Sequence, residues 1–411
     1  MNTKTVAVIG LGYIGLPTAV ALAGAGHRIL GVDTNPSHVQ AVNAGQVPFL
    51  EPGLGEALQK VHAAGLITAS EQAAPADVYI VSVPTPFQGD HHADLSFVMA
   101  AADEISPYVS KGALVILEST SPPGTTEAMS ERIEHNRPDL AGSLLFAHCP
   151  ERVLPGKIMV EMFTNDRIVG GLTPEAAQAA QELYASFCRG QIRLTDAKTA
   201  ELSKLAENSF RDVNIAFANE LAKICDYLGI DVWELIDLAN LHPRVNILRP
   251  GPGVGGHCIA VDPWFIVDVA PSLARLIHTA REVNDSRPDD VVAQAQTLIH
   301  EVRAENAGQP TKIAVLGLAF KPDVDDLRSS PAITVADKLA GLDKVELLVC
   351  EPNTATLPPI LTGRSNIRKV ELAEGLQDAD LVVGLVAHRQ FRALSRDSLT
   401  VPVLDACGIW R

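Results

Sequence analysis

Cys258 is the strongest candidate for a nucleophile in this sequence, because it ends a segment rich in glycine. The segment runs from Gly251 to Cys258 and reads GPGVGGHC. Glycines let the backbone approach another group closely, and loop amides or a nearby cation could stabilise a thiolate that is otherwise scarce at neutral pH. Cysteines without such a context are more often packed and inert. We expect this of Cys149, Cys188, Cys225, Cys350 and Cys407.

A second candidate set lies on one face of a predicted helix. Lys204, Asn208 and Arg211 follow the i, i+4, i+7 spacing that brings side chains to the same face. A solvated polar face is the simpler interpretation. Burial of the helix is the alternative, and it is favoured by the spread of apolar residues around it, namely Leu202, Leu205, Phe210 and Ile215. A buried lysine and asparagine could donate hydrogen bonds to a developing oxyanion, and the spacing alone leaves both interpretations open.

The segment from Gly10 to Gly15 carries a dinucleotide-binding pattern. Gly10, Gly12 and Gly15 follow a predicted strand and open a predicted helix, which is the context that gives a G-x-G-x-x-G match its meaning. The glycines permit the turn, the approach of a pyrophosphate and the packing of helix on strand. Asp33 ends the next strand, where a carboxylate would bind a ribose 2′-hydroxyl and repel a 2′-phosphate. The pattern therefore predicts NAD rather than NADP, against the alternative of a turn without a ligand.

Hydroxyl side chains follow two other predicted strands directly. The tripeptide Pro84-Thr85-Pro86 comes after the strand that ends at Val83, and Glu118-Ser119-Thr120 comes after the strand at 113–117. Ligands of open α/β sheets bind outside the carboxyl ends of the strands. Thr85 and Thr120 are therefore candidate ligand contacts, although ordinary turn chemistry would explain both segments equally well.

Short apolar runs predict the strands that position these residues. Helix-like stretches separate the runs, and this alternation is typical of a parallel α/β sheet. The predicted strands of the first sheet are 5–9, 28–33, 78–83, 113–117 and 144–148. A similar pattern restarts at 312–320, where IAVLGLA echoes the opening VAVIGLG. The later predicted strands are 345–349, 380–386 and 401–405.

The stretch between the two strand patterns predicts helices. One long helix is expected over 195–229, with Thr195 or Asp196 as its N-cap. Further helices are expected at 232–240 and 272–306, and a linker at 305–310. The predicted fold class is therefore α/β, with two Rossmann-like α/β domains flanking a helical central domain.

The composition excludes several classes of protein. The chain has 411 residues, of which 47% are hydrophobic and 20% charged, so it can bury a large core. Its 33 basic and 49 acidic residues give a net charge of −16, which disfavours nucleic acids and anionic membranes as partners. The dispersed cysteines predict neither a disulfide framework nor a metal site. The uncharged stretch Thr5–Gly26 is broken by glycines and Pro17, so it is not expected to span a membrane. We expect a cytoplasmic protein.

Seven segments together resemble the UDP-glucose/GDP-mannose dehydrogenase family. They read GLGYIGLP, VPTPF, ESTSPPGTT, CPERVLPG, AELSKLAENSFRDVNIAFANE, HPRVNILRPGPGVGGHCIAVDPWF and GLAFKPDVDDLRSSP. The resemblance spans the chain, and the last three segments are long and specific. It implies an NAD-binding Rossmann domain over 1–194, a helical dimer-forming domain over 195–304 and a C-terminal UDP-sugar-binding α/β domain over 311–411. It therefore also implies a homodimer.

The resemblance implies an activity as well. HPRVN and GGHCIAVDPWF are most similar to family members that oxidise UDP-N-acetyl-D-mannosamine at C6 to the carboxylate, reducing two NAD. An aldehyde intermediate has no alkoxide until a nucleophile adds to it, so Cys258 would form a thiohemiacetal and then a thioester. The same chemistry on UDP-N-acetylglucosamine or UDP-glucose is an alternative.

Two alternatives come from other classes. A single-step hydroxyacid dehydrogenase also joins a Rossmann domain to a helical domain with a Lys…Asn pair, but it needs neither the cysteine nor a third α/β domain. A non-catalytic NAD-binding protein would not need Cys258, Lys204 and Glu151 together.

The resemblance implies a role for each matching residue. Cys258 would be the nucleophile. Lys204 would exchange the alcohol proton and stabilise oxyanions, and Asn208 would share the stabilisation of oxyanions. Glu151 would assist proton transfer or thioester hydrolysis, and Asp262 and Thr120 would help to place water or the thiol. The expected NAD contacts are Gly10, Gly12, Tyr13, Ile14, Gly15, Asp33, Thr85, Thr120 and Arg328. The expected substrate contacts are Arg152, Val153, Lys204, Asn208, Arg211, His242, Arg244, Gly255 and Lys321.

The second glycine turn departs from the dinucleotide pattern. From Gly317 to Lys321 the sequence reads GLAFK, which keeps only the first glycine of the motif. The pattern therefore argues against a second NAD site. A lysine at the turn suits a phosphate or uridine ligand.

Overall fold

The computed structural model describes residues 3–89, 91–154, 156–256, 258–305 and 309–411. The chain forms two compact units, Met1–Glu207 and Asn208–Arg411, which are called the N-terminal and C-terminal units below. Part of the predicted linker, residues 306–308, lies outside the described residues. The predicted division into three domains stays a prediction.

The N-terminal unit is built on an eight-stranded sheet. Its strands and those of a small hairpin are β1 Thr5–Ile9, β2 Arg28–Val32, β3 Ile67–Ser70, β4 Val78–Val81, β5 Phe87–Gln88, β6 His92–Ala93, β7 Leu114–Leu117, β8 Leu145–His148, β9 Arg167–Gly171 and β10 Ile192–Asp196. The order in the sheet is β10-β9-β8-β7-β4-β1-β2-β3, and the pairs are parallel except for β8 with β9. β4 and β7 are buried along their whole length, as strands covered on both faces must be.

Helices cover the sheet of the N-terminal unit. They are α1 Gly15–Gly24, α2 Pro36–Asn43, α3 Leu54–Ala63, α4 Ser96–Ile105, α5 Thr125–Asn136, α6 Ile158–Thr164 and α7 Pro174–Tyr184, with a short 3-10 helix at Pro138–Leu140. The strand order reverses at β1, so that β2 and β4 lie on either side of it. Such a reversal is the place where doubly wound sheets bind their ligands.

The strands predicted for this sheet are confirmed, and three further strands were not predicted. β9 and β10 form one margin of the sheet and β3 forms the other. β10 has no fully buried residue, β3 has one, and β9 is mostly buried but ends in two glycines. Their sequences therefore lack the continuous apolar runs that identify the inner strands.

The predicted long helix is confirmed as α8, Ala197–Leu228. The Oδ1 atom of Asp196 accepts a hydrogen bond from the N–H of Thr199 at 2.9 Å, so Asp196 rather than Thr195 caps the helix. The same Asp196 is the last residue of β10, and the chain passes from strand to helix without a loop. The boundary between the two compact units falls inside α8.

The C-terminal unit contains a helical region followed by a parallel sheet. The helices after α8 are α9 Val232–Ala239, α10 Asp262–Val269 and α11 Arg275–Glu305. The strands are β11 Thr311–Leu316, β12 Val345–Cys350, β13 Ile367–Lys369, β14 Leu381–Gly384 and β15 Val403–Asp405, in the order β13-β12-β11-β14-β15. The remaining helices are α12 Pro331–Ala340, α13 Pro359–Thr362, α14 Leu372–Asp378 and α15 Arg389–Arg392, with a 3-10 helix at Arg396–Ser398. The predicted fold class is confirmed.

Candidate active site

The glycine turn between β1 and α1 has the geometry of a nucleotide-binding turn. Gly10 has a φ of +96°, and a Cβ atom on it would lie 2.3 Å from the carbonyl oxygen of Ser82, just beyond β4. A Cβ on Gly15 would lie 1.9 Å from the carbonyl oxygen of Gly10. Nothing lies within 4 Å of the corresponding position on Gly12. Gly10 and Gly15 are therefore required by the turn itself, whereas Gly12 leaves open space in which a pyrophosphate can approach the backbone.

Asp33 is held at the edge of this turn. Its Oδ2 accepts a hydrogen bond from the N–H of Leu11 at 2.8 Å, and its Oδ1 accepts one from the N–H of Asn35 at 2.8 Å. The side chain is only partly buried, so the carboxylate can still accept hydrogen bonds from a ribose. Tyr13 is 46% exposed with its ring 4.2 Å from that of Phe49. This donor and acceptor set fits a dinucleotide.

The turns after β4 and β7, which carry Thr85 and Thr120, lie together. The Thr85 hydroxyl donates to the carbonyl oxygen of Thr120 at 2.5 Å. The Ser119 hydroxyl donates to the carbonyl oxygen of Val83 at 2.7 Å and accepts from the Val83 N–H at 3.0 Å. These bonds fix the two turns to one another.

Glu151 belongs to a buried cluster. Its Oε2 forms an ion pair with Arg167 at 2.8 Å, and its Oε1 accepts from the N–H of Arg152 at 2.7 Å. Burial alone would lower the pKa of Arg167, but Glu151 and smaller contributions from Cys149, Tyr184 and Glu118 together outweigh burial, so the pKa is raised and the guanidinium stays ionised. Its guanidinium also lies over the rings of Tyr184 and Phe187. The carboxylate of Glu151 is therefore fixed in orientation.

A second carboxyl group, Glu118, lies in the same cluster. Burial and the charge of Glu151 raise the pKa of Glu118 to about 7, while hydrogen bonds from Tyr184 and Thr18 oppose the rise. Sequence reasoning singled out neither Glu118 nor Arg167. Glu118 directly follows a strand in the quoted EST segment, whereas a lone arginine in β9 carried no local signal.

Burial makes several cysteines unreactive, as predicted. It raises the pKa of both Cys149 and Cys350 to about 12. Thiols with such values are protonated at neutral pH and are poor nucleophiles. Cys258, by contrast, is exposed.

Arg152 and Val153 already have partners inside the N-terminal unit. The guanidinium of Arg152 contacts Glu207 at 2.5 Å and donates to the carbonyl oxygen of Asp166 at 2.5 Å. Val153 packs against the main apolar core. These contacts fix the segment that follows Glu151.

The N-terminal end of α8, which carries the half-buried Lys204, is anchored by Glu201. This carboxylate is fully buried and accepts hydrogen bonds from the N–H groups of Gly124 at 2.6 Å and Thr126 at 2.8 Å. Both donors belong to the beginning of α5. The anchor was not identified from the sequence, because its partners are far away in the chain.

In the C-terminal unit, three of the predicted catalytic residues lie together. The Asn208 side chain donates to Oδ2 of Asp262 at 2.5 Å. The carbonyl oxygen of Cys258 accepts from the N–H groups of Asp262 at 2.8 Å and Val261 at 3.0 Å. Asp262 is buried and begins α10. The thiol is therefore presented on a tight turn whose last residue is fixed by α8.

The glycines before Cys258 pack against the segment that follows β11. A Cβ on Gly255 would lie 2.6 Å from the carbonyl oxygen of Ser329 and 2.8 Å from Pro331. Gly256, with a φ of +86°, would place a Cβ 3.0 Å from the ring of Phe320. The close approach that the glycine run predicted is thus to this chain's own loop.

The other predicted substrate contacts are basic side chains. Arg211, His242 and Arg244 are exposed. The Lys321 ammonium lies 5.5 Å from the centre of the Phe320 ring. Arg328, predicted to contact the cofactor, is exposed and forms an ion pair with Asp326 at 2.7 Å.

Two features of other protein classes are absent from the described residues. No helix among them is long and apolar enough to cross a membrane. In the same part of the chain, no group of three or more His, Cys, Asp or Glu side chains could hold a metal ion.

Comparison with known proteins matches all three parts of one family. Sequence models of the UDP-glucose/GDP-mannose dehydrogenase family match residues 4–188 as the NAD-binding domain, 198–286 as the central domain and 314–410 as the UDP-binding domain. The cofactor is therefore NAD.

Individual relatives cover the whole chain. It is 50% identical to the UDP-N-acetyl-D-mannosamine dehydrogenase of Yersinia pestis over 100% of both chains. It is 48% identical to the NDP-N-acetyl-D-galactosaminuronic acid dehydrogenase of Ralstonia nicotianae over 100% of this chain and 97% of that one. Among solved structures, the UDP-D-ManNAc dehydrogenase of Pyrococcus horikoshii matches with a TM-score of 0.87 and 37% identity over 99% of this chain and 96% of that chain. The chain therefore belongs to the UDP-glucose/GDP-mannose dehydrogenase family and is an NAD-dependent UDP-sugar dehydrogenase.

Proposed function

We propose that the protein oxidises UDP-N-acetyl-D-mannosamine at C6 to UDP-N-acetyl-D-mannosaminuronate. The observation that carries the proposal is the cluster of the exposed Cys258 with Asn208 and Asp262, because a nucleophilic thiol is required only when an aldehyde is oxidised further. The choice of sugar rests on the relatives, of which the Yersinia pestis enzyme is named for this substrate.

In the first oxidation Lys204 takes the proton of the C6 hydroxyl group. Bound NAD supplies the hydride acceptor for both oxidations. The side-chain amide of Asn208, held by Asp262, donates a hydrogen bond to the oxygen at C6 and stabilises the negative charge that develops there. The product of this step is an aldehyde.

In the second oxidation the thiolate of Cys258 adds to the aldehyde carbon and forms a thiohemiacetal. Loss of a hydride and of the hydroxyl proton converts the adduct into a thioester. Water then cleaves the C–S bond, which releases the carboxylate and restores the thiol. Glu151 and Thr120 place this water and transfer its proton, and the ion pair with Arg167 holds the Glu151 carboxylate in one orientation.

Basic side chains bind the nucleotide part of the substrate. Lys321, Arg244 and Arg211 carry the positive charges that a diphosphate requires on a chain of net charge −16. His242 and Gly255 contact the sugar nucleotide with them, as do Arg152 and Val153. On the cofactor side Tyr13, Ile14, Asp33, Thr85 and Arg328 contact NAD.

The protein acts as a homodimer in the cytoplasm, with domains at 1–194, 195–304 and 311–411. An apolar face of α8 supports self-association, because Phe210, Phe217 and Ile224 recur at heptad spacing and are 72%, 52% and 45% exposed. Light scattering of the purified protein tests the dimer. A charge at this face, as in Phe217→Glu, should shift the mass towards that of one chain.

Counting the NADH formed per molecule of limiting sugar tests the function. Two NADH per UDP-N-acetyl-D-mannosamine, with this sugar preferred, is the expected result. UDP-N-acetylgalactosamine belongs in the panel because the Ralstonia relative is nearly as similar, and UDP-N-acetylglucosamine and UDP-glucose complete it. Two NADH on another sugar would overturn the substrate. One NADH per sugar would mean that the aldehyde is not oxidised further, and Cys258 would then not be a catalytic nucleophile.

The matched variant is Cys258→Ser. It should complete the first oxidation at most, because an alcohol is a poor nucleophile and a poor leaving group compared with a thiol. Two NADH per sugar at the wild-type rate in this variant would contradict the covalent mechanism.

A further inference from the structure

Gly251, the first residue of the loop that leads to Cys258, is held by two buried side chains. Its N–H donates to Oδ1 of Asn219 at 2.9 Å, and its carbonyl oxygen accepts from Nε of Arg287 at 3.1 Å. Asn219 is fully buried and Arg287 is 3% exposed. Both polar groups of one backbone residue are therefore bound to side chains of α8 and α11.

A hydrogen-bonded chain continues behind Asn219. Its Nδ2 donates to Oδ1 of Asn284 at 2.8 Å, and Nδ2 of Asn284 donates to Oδ1 of Asp212 at 2.8 Å. Nη1 of Arg281 donates to the same Asp212 oxygen at 2.6 Å. These four side chains are at most 1% exposed.

The direction of this chain is fixed at both of its ends. The N–H of Gly251 can only donate, and the carboxylate of Asp212 can only accept when ionised. Asn219 and Asn284 must therefore each present the oxygen towards Gly251 and the amide nitrogen towards Asp212. Only this orientation of the two amides allows the hydrogen bonds from Gly251 through Asn219 and Asn284 to Asp212, and such a network favours one position of the elements it joins.

The chain also fixes the two long helices relative to the loop. Asp212 and Asn219 lie on one face of α8, while Arg281 and Asn284 lie on one face of α11. Burial in this apolar surrounding raises the pKa of Asp212, although Arg281 opposes the rise. Apolar side chains would pack these faces at lower cost. The presence of buried polar side chains here is thus explained by their hydrogen bond to Gly251.

We propose that Asn219 and Arg287, backed by Asn284, Asp212 and Arg281, are positioning residues that place the Cys258 loop for attack on the aldehyde. The proposal rests on the role of Cys258 in the proposed function. Asn219 and Asp262 act at opposite ends of the same loop, because the bond from Asn208 holds the residue at which the loop enters α10. Hydrogen bonds from α8 therefore hold the segments before and after the thiol.

The test compares Asn219→Ala with Asn214→Ala. Asn214 is the matched control because it lies on the same helix and its amide donates to the carbonyl oxygen of Phe210, within that helix. We expect kcat for the complete oxidation to fall about 10- to 100-fold in Asn219→Ala, as a misplacement on the order of 1 Å would produce. The KM for NAD should change less than about twofold, and Asn214→Ala should match the wild type.

The rate at which iodoacetamide alkylates Cys258 provides a readout that does not depend on turnover. Peptide mass spectrometry measures it, with the partly buried Cys188 and Cys407 as internal references. In Asn219→Ala the rate at Cys258 should change at least about threefold while the references stay constant, because only the nucleophile loop is released. A lower melting temperature with unchanged alkylation and kcat would show a purely structural role and overturn the proposal.

A second pair keeps the test decisive if Asn219→Ala does not fold. Arg287→Lys retains a cationic donor near the Gly251 carbonyl oxygen and should keep more activity than Arg287→Ala. Wild-type activity in both variants would overturn the proposal.

Cys258→Ser, measured alongside, separates the positioning proposal from the proposed function. If that variant still forms two NADH per sugar at the wild-type rate, the role of Cys258 in the proposed function fails, whereas wild-type alkylation in the Asn219 and Arg287 variants rejects only the positioning role.

Discussion

The two glycine turns, one in each compact unit, have a similar backbone conformation at their first glycine, but they differ in the groups that contact their amides. Gly10 after β1 and Gly317 after β11 have φ values of +96° and +91°. A Cβ on Gly10 would lie 2.3 Å from the carbonyl oxygen of Ser82, and one on Gly317 would lie 2.5 Å from Cβ of Val386. In both units, therefore, the first glycine is required because the turn presses against the end of the neighbouring strand.

The acidic residue after the second strand distinguishes the two turns. Asp33 is partly buried and takes one amide of its turn, that of Leu11. Glu351 is 2% exposed, and its Oε2 accepts from the N–H groups of Leu318 at 2.7 Å and Ala319 at 3.1 Å. The side chain of Glu351 is longer than that of Asp33, and its carboxylate therefore reaches the amides of Leu318 and Ala319. In a nucleotide-binding turn such amides would bind a phosphate. One turn is open to a ligand, and the other is closed by the protein itself.

A buried histidine completes the closed turn. Nε2 of His388 lies 3.2 Å from Oε2 of Glu351, and Nδ1 of His388 accepts from the N–H of Asp323 at 2.9 Å. The loop between these contacts carries Lys321, the proposed cation for the nucleotide. The comparison therefore shows one topology with two outcomes: the first turn leaves backbone accessible to the proposed cofactor, and the second is filled by a side chain of the protein and carries Lys321.

The largest expected effect comes from closing the open turn with Gly12→Val. Gly12 does not adopt a positive φ and nothing lies within 4 Å of its Cβ position, so the fold should tolerate the side chain. The valine would occupy the space of the pyrophosphate, and kcat/KM for NAD should fall at least about 100-fold. Steady-state kinetics with a melting curve measure this. A variant with normal NAD kinetics would show that Gly12 is not the approach point.

Glu351→Gln tests the closed turn. The variant loses the charge that two loop amides and His388 satisfy, so the free energy of unfolding of the C-terminal unit should fall by about 2 kcal/mol. Denaturant unfolding measures the change. Glu346→Gln, on an exposed part of β12, is the matched control and should stay within about 0.5 kcal/mol of the wild type. An unchanged free energy of unfolding in Glu351→Gln would mean that the charge of this carboxylate does not stabilise the turn.

The same carboxylate predicts a pH dependence. Burial alone would raise the pKa of Glu351, but the hydrogen bonds from His388, Leu318 and Asn353 outweigh it and hold the pKa below the ordinary value. A lowered folded-state pKa contributes stability that is present above the ordinary glutamate pKa and is lost as the pH falls through the folded value. Unfolding curves of the wild type and Glu351→Gln should therefore converge at acid pH. Parallel curves would contradict this.

Asp33→Asn should alter cofactor choice by a smaller factor. The amide keeps an acceptor for the N–H of Leu11 but removes the charge that repels a 2′-phosphate. We expect kcat/KM for NAD to fall about tenfold and the ratio of NADP to NAD efficiency to rise about tenfold, which corresponds to about 1.4 kcal/mol each. Paired kinetics with both cofactors measure this. An unchanged ratio would remove Asp33 from recognition of the ribose.

The smallest effect is expected from Ala319→Gly, which restores the second glycine of the motif in the closed turn. The Glu351 carboxylate still occupies the amides, so calorimetric titration should give one NAD per chain, as in the wild type. The loss of one buried methyl group should cost about 1 kcal/mol of stability or less. A second NAD per chain would show that the methyl group, and not the carboxylate, closes this turn.

The sequence by itself determined the features that depend on local backbone geometry. The alternation of apolar runs identified the inner strands, and the Gly10–Gly15 turn with Asp33 was recognisable because each position is constrained by its own neighbours. The N-terminus of α8 followed from capping chemistry within four residues, and the glycines before Cys258 indicated a close approach.

Only the tertiary structure decided which distant groups meet. No local pattern indicated that Asn208 would bind Asp262, that Arg167 would pair with Glu151, or that outer strands such as β9 and β10 would join the sheet. The partner of a buried polar group is whatever the packing brings to it, because a group removed from water must find a hydrogen bond wherever the chain folds back. Sequence patterns and the family resemblance therefore gave the candidate residues, and non-local packing determined what holds them in position.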